Sequence, residues 1–156
     1  MDKLPKEIVR LGTLSNVDNL EGNMKIHKTL YAVNEKLKEE QIKTRMVFVR
    51  NFHGPTDEGL SKDMLKYEKM DLVELEELYL YSQKSTRYKI TQKGKRWVNG
   101  ISIFFEKLKD KGLISKNPIN IINVESESLK DLSGSQIADS ECVQEFKQKN
   151  ALGVKR

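Results

Sequence analysis

The chain has 156 residues, enough for one domain of ordinary size, and its 37% hydrophobic and 33% charged residues allow a packed core over part of that length. It is mildly basic, with a formal charge of +5 and a pI near 9.2, which bears on partners rather than on fold. One cysteine, no apolar run of membrane-helix length and no apolar stretch in Met1 to Lys6 exclude a disulfide framework, a membrane span and a signal peptide, and predict a reduced, cytoplasmic protein.

In chain order, Pro5 to Leu14 predicts a short helix with proline in its first turn. Ser15 to Asn23 has the composition of a loop. Ile26, Leu30, Val33 and Leu37 fall on one face of a second helix, with Asn23 as its cap. Arg45 to Phe52 is β-branched and aromatic and reads as a strand that breaks at His53-Gly54-Pro55. Thr56 then caps a helix from Asp57 to Met70, with Leu60, Met64 and Tyr67 as its apolar face. Leu72 to Leu75 reads either as a strand or as continued helix. Leu78–Ser82 and Arg87–Thr91 alternate as two strands joined by the polar Gln83–Thr86. Thr91 caps a further helix through Trp97, Ile101, Phe104, Phe105 and Leu108, and Gly112 suits its C-terminal turn. Beyond Pro118, residues 119–124 read as one more strand, 126–135 as loop, 137–146 as one weak helix and 150–156 as a frayed end.

The order helix, helix, strand, helix, hairpin, helix is that of a winged helix, an α+β fold in which a three-helix core carries a small antiparallel sheet and a projecting wing. Several motifs point the same way. Met70-Asp71-Leu72-Val73-Glu74 resembles the L-G-L-V-E step with which winged-helix proteins leave their third helix. Tyr88-Lys89-Ile90-Thr91-Gln92-Lys93-Gly94 is similar to Y-x-L-T-x-x-G, where the second wing strand meets the last helix. Lys25 to Tyr31 resembles the K-L-Q-K-L-L-Y helix of a group of small bacterial and archaeal winged-helix-like proteins, reminiscent of Panacea-type antitoxin domains. In that group an aromatic-x-Gly-Pro turn follows, here Phe52 to Pro55, and then a helix opening like Thr56 to Leu60. The resemblance covers about residues 23 to 98. It implies a winged-helix domain over 5–112 and a C-terminal extension, partly ordered at best, over 113–156. Asp71 departs from the pattern, since it stands where glycine is usual.

Charge is unevenly spread. Residues 55–80 hold three Lys/Arg against eight Asp/Glu, a net −5, whereas 81–116 hold ten against two, a net +8. Lys84, Arg87, Lys89, Lys93, Lys95 and Arg96 lie on the wing and the start of the last helix, a pattern suited to phosphate contacts on double-stranded DNA. Arg87 and Lys89 share a strand face, and Tyr88 points to the core. Lys62, Lys66 and Lys69 form one stripe on the 57–70 helix, the recognition helix of a winged fold. The competing reading of these lysines is an ordinary solvated face. Asp57, Glu58, Asp63 and Glu68 on the same helix oppose DNA and favour a protein partner. The leading expectation is therefore a DNA-binding transcriptional regulator, and the alternative is a protein-binding winged helix that uses the acidic helix.

Other residues carry less. His27 and His53 lack a ligand set, so no metal is expected; His53 reads as a turn residue and His27 as a helix-surface or edge residue. Cys142, beside Glu141, reads as buried and inert. No nucleophile elbow, phosphate loop or dinucleotide motif is present, so neither an enzyme nor a cofactor is expected. Trp97, Phe104 and Phe105 read as core or as the seam of a homodimer.

Overall fold

The computed structural model describes residues 3–51, 54–150 and 152–153. Phe52 and His53, and with them the turn role expected of His53, lie outside these residues. The chain forms a mixed α+β fold of several helices and two small open antiparallel sheets.

Helix α1 (Lys6–Val17) runs a turn beyond its predicted end, and most of the predicted 15–23 loop is ordered. Its residues 8 to 14 are buried, and Arg10 is the one charged residue between Ile8 and Val17. A three-residue strand, β1 (Asn19–Glu21), follows. Helix α2 (Asn23–Glu39) is the central element, covered by α1 and by much of the chain that comes later. Asn23 is not its cap: Gly22 takes that position, and the Asn23 side chain accepts from the Tyr88 hydroxyl at 2.6 Å.

The predicted 45–52 strand is shorter, β2 (Phe48–Asn51), and the Gly54-Pro55 break is itself a strand, β3 (Gly54–Asp57), paired antiparallel with it. Proline fits there because a two-stranded ribbon needs few of its backbone donors. Thr56 therefore sits in β3 and caps nothing; Gly59, in the left-handed region, precedes α3 (Leu60–Lys69). That helix buries Leu60, Met64 and Tyr67, as their spacing predicts. It ends on a left-handed Asp71, whose φ of 60° supplies the turn that glycine usually makes.

Leu72 to Leu75 resolves as the approach to a longer hairpin. Strands β4 (Val73–Leu80) and β5 (Gln83–Ile90) pair from Val73↔Ile90 to Leu80↔Gln83. The connection is thus two residues, Tyr81-Ser82, not Gln83–Thr86. Both have positive φ, 54° and 66°, the geometry that continues the right-handed twist of the strands. The sequence lacks the Asn-Gly signal that would announce it. Strand β1 pairs with the other edge of β5, giving the order β1-β5-β4. Helix α4 (Gln92–Asp110) starts at Thr91, whose side chain accepts from the Gly94 amide, and ends in a turn at Gly112, as predicted.

The chain after Pro118 is helical. Residues 119–124 are not a strand but part of α5 (Pro118–Leu129), which also takes in the start of the predicted 126–135 loop. The isoleucine run signals a strand by composition, but Asn117 caps Ile119 and Pro118 starts the helix, so Ile119, Ile122, Ser126 and Leu129 line one buried face. The predicted weak helix is two, α6 (Gly134–Ala138) and α7 (Glu141–Lys149). Ile137, Val143 and Phe146 join the same buried cluster as Leu30, Phe48 and Ile90. Tyr31 stacks edge-on against both Phe48 and Phe146, at 5.1 and 5.0 Å between ring centres. Among the described residues, no helix is long and apolar enough to cross a membrane.

Candidate nucleic-acid interface

The attachment of α3 to the core rests on one buried cation. Arg10 is fully buried on α1, and its five N–H groups make five hydrogen bonds. Its Nε and Nη2 hold both oxygens of Asp57 at 2.7 Å, and Nη1 reaches Asp63 at 2.6 Å and the Tyr67 hydroxyl at 3.1 Å. Nη2 also donates to the Glu58 carbonyl at 3.3 Å. Burial alone works against the charge, but the hydrogen bonds and charges of Asp57 and Asp63, with the Tyr67 hydroxyl, outweigh it and hold the guanidinium firmly protonated. A planar five-donor group is suited to such a fork. The Asp57 amide donates in turn to His27 Nδ1 at 3.0 Å. His27 is half-buried on α2, and burial, followed by the charge of Arg10, lowers its pKa to about 4.

This cluster turns two of the acids that opposed DNA away from solvent. Asp57 is wholly buried and Asp63 is mostly so, both on Arg10. Glu68 is exposed but spends one oxygen on the Leu75 amide at 3.1 Å. The outward side of α3 carries Lys62, Leu65, Lys66 and Lys69, all exposed. Among the described residues, Lys62 and Lys69 make no ion pair, and Lys66 reaches Asp63 only at 3.8 Å. At the end of α3, Lys93 donates to the Met70 carbonyl at 2.8 Å and Thr91 to that of Asp71, which brings the first turn of α4 beside α3. Arg96 is exposed there, with no ion pair among the described residues.

The hairpin is electrostatically different from what its lysines imply. Lys84 pairs with Glu77 at 2.8 Å, and Arg87 lies between Glu76, at 3.0 Å, and Glu21. Lys95 pairs with Asp18. Lys89 is exposed, with no ion pair among the described residues, and Tyr88 is buried, as the strand alternation predicts. The sequence shows the cations of β5 but not that β1 and β4 bring glutamates beside them. Tyr79 and Tyr81, near the hairpin tip, are exposed, the latter completely.

On α4 the aromatic group divides: Phe105 is core, Trp97 is half-buried and Phe104 is 50% exposed beside an equally exposed Ile103. Cys142 is half-buried rather than fully, and burial pushes its thiol up, away from the reactive thiolate. No family model, curated protein or solved structure matches the chain.

Proposed function

We propose that the protein binds duplex DNA, with α3 as the recognition helix of a winged-helix arrangement. The order helix, β1, helix, α3, then a hairpin whose second strand lies between β1 and β4, is compatible with that fold once β2 and β3 are taken as an insertion. The observation that carries the reading is the inward turn of Asp57 and Asp63 onto Arg10, which leaves Lys62, Lys66 and Lys69 on the exposed side of α3. Asp57 and Asp63 are thereby kept from repelling phosphates at that face. In this reading α3 enters the major groove, and Lys93 and Arg96 on α4 meet the flanking phosphates. The wing contributes less than its composition implies, because Lys84 and Arg87 already face carboxylates.

The test is an anisotropy titration of the full chain with mixed-sequence duplex at several salt concentrations. Five free or weakly paired cations predict a slope of log affinity against log salt of about −3 to −5. Absence of binding at low salt would contradict the proposal.

One observation favours a second reading, a protein partner at the hairpin. The Gly22 amide donates to the Thr86 carbonyl and the Ile90 amide to that of Asp18, so the even residues of β5 face β1 and its odd residues face β4. The amides of Leu75, Glu77 and Tyr79 therefore point away from β5 along the outer edge of β4. Glu68 covers that of Leu75, and among the described residues the other two have no partner, leaving an open edge beside the exposed tyrosines. Loss of a recovered complex on Tyr79→Pro, with DNA binding intact, is the outcome that this reading requires.

A further inference from the structure

The two edges of the three-stranded sheet are unequal. One is β1, only three residues long, and so short an edge offers little to pair with. The other is β4, eight residues without proline or lysine, two residues that blunt exposed edges. Helix α3 lies against the base of β4, where Glu68 takes the Leu75 amide. Beyond it the amides and carbonyls of Glu77 and Tyr79 face outward, with no partner among the described residues. The glutamates of this stretch do not repel an incoming strand, because Lys84 holds Glu77 at 2.8 Å and Arg87 holds Glu76 at 3.0 Å. Tyr79 is 69% exposed on the same edge.

We infer that β4 pairs antiparallel with β4 of a second copy of the chain, across a two-fold axis at Leu78, joining two three-stranded sheets into one. The inference rests on the open-edge reading of the hairpin and names the partner. Few axis positions suit this strand. An axis at Glu76 or Glu77 sets a glutamate directly against its twin, which is destabilising. One at Leu75 needs the amide already given to Glu68. One at Tyr79 directs the Glu77 backbone to Tyr81, which is in the left-handed turn. An axis at Leu78 has none of these faults. It sets Glu77 opposite Tyr79 of the second copy, and the two exchange both amide–carbonyl bonds. The twin pair does the same, so both free amides of each copy are used, in four bonds. Leu78 meets its own twin at a non-hydrogen-bonded pair, and Tyr79 faces a glutamate whose charge Lys84 already balances. The edge is thus self-complementary, as a two-fold interface requires.

A four-bond ribbon is a small interface, so the dimer is expected to be weak, with a dissociation constant on the order of 10–100 μM. Sedimentation velocity of the full chain without DNA, from about 5 μM to about 500 μM, should show monomer passing to dimer. Tyr79→Pro should stay monomeric, because proline removes one donor from each pair. Oxidation reads the register separately. In a Cys142→Ser background, which leaves no other thiol, Leu78→Cys puts two thiols on a non-hydrogen-bonded pair with Cα atoms about 4.5 Å apart. That variant should form an intermolecular disulfide. Glu74→Cys in the same background sets the twins about 26 Å apart and should not. A chain still monomeric at about 500 μM, an undiminished dimer in Tyr79→Pro, or equal cross-linking of the two cysteine variants would overturn the inference. If such a monomeric chain still forms a complex with another protein, lost on Tyr79→Pro, the edge reading survives with a different partner; with neither dimer nor complex, both fall.

Discussion

Arg10 and Asp57 form a bidentate ion pair, 2.7 Å at each contact, between two side chains with no exposure. It ties α1 to the end of β3, and through Asp63 and Tyr67 to α3. Removing one partner strands the other charge in the core. Arg10→Met should cost about 3–5 kcal/mol of unfolding free energy. Arg10→Met combined with Asp57→Leu should recover part of that loss, since no lone charge remains. Urea unfolding of the three chains measures both; a single-variant cost under about 1 kcal/mol would show the pair to be dispensable.

His27 links this cluster to pH. Its Nδ1 accepts from the Asp57 amide, which requires the neutral ring, and its folded pKa of about 4 lies below the ordinary 6.5. A base with a depressed folded pKa contributes stability that is complete above 6.5. That contribution is lost as pH falls from there toward 4. The loss from this residue should reach about 2–3 kcal/mol. His27→Gln, which keeps an acceptor without the titration, should flatten the pH dependence between 6.5 and 4.5. Parallel profiles for the two proteins would show that His27 does not titrate as described.

Gly94, in the first turn of α4, packs against the end of the hairpin. A Cβ there would lie 2.3 Å from the Leu72 carbonyl oxygen and 2.7 Å from Ile90 Cγ1. Alanine gains up to about 1 kcal/mol of helix propensity over glycine, but a clash with backbone cannot be relieved by a side-chain rotation. Gly94→Ala should therefore lower stability by about 2–3 kcal/mol, read as a reduced melting temperature. A stabilised variant would contradict this packing.

Much of this arrangement is legible in the sequence, and what is not has identifiable causes. The apolar spacing of α2, α3 and α4 locates those helices, because each packs one regular stripe on the core. The isoleucines of α5 mislead, since β-branched composition there is overruled by the Asn117-Pro118 start and by burial. Strand β1 is too short to carry a pattern of its own and exists through its pairing with β5. At the candidate interface, the stripe of Lys62, Lys66 and Lys69 is readable, but the neutralisation of Arg87 by Glu21 and Glu76 joins residues far apart in the chain. Arg10 leaves one trace, a lone charge in an otherwise uncharged stretch from Ile8 to Val17.

Asp71 shows how a departure from a motif is absorbed. It occupies the left-handed position after α3, where Leu72 donates to the Tyr67 carbonyl and Asp71 to that of Glu68. An L side chain pays about 1 kcal/mol in this region. Asp71→Gly should raise stability by up to that amount, measured as a shift in the urea midpoint. A destabilised variant would mean that the aspartate side chain has a role at the turn.

The most direct measurement of the central claim compares salt slopes of duplex binding for two double variants. Lys62→Ala with Lys69→Ala removes unpaired cations from α3, and Lys84→Ala with Arg87→Ala removes paired ones from the hairpin. The first pair should flatten the slope by about 2, and the second by much less than that. An unchanged slope in the α3 variant, or a larger change in the hairpin variant, would contradict the assignment of α3 as the DNA-reading helix.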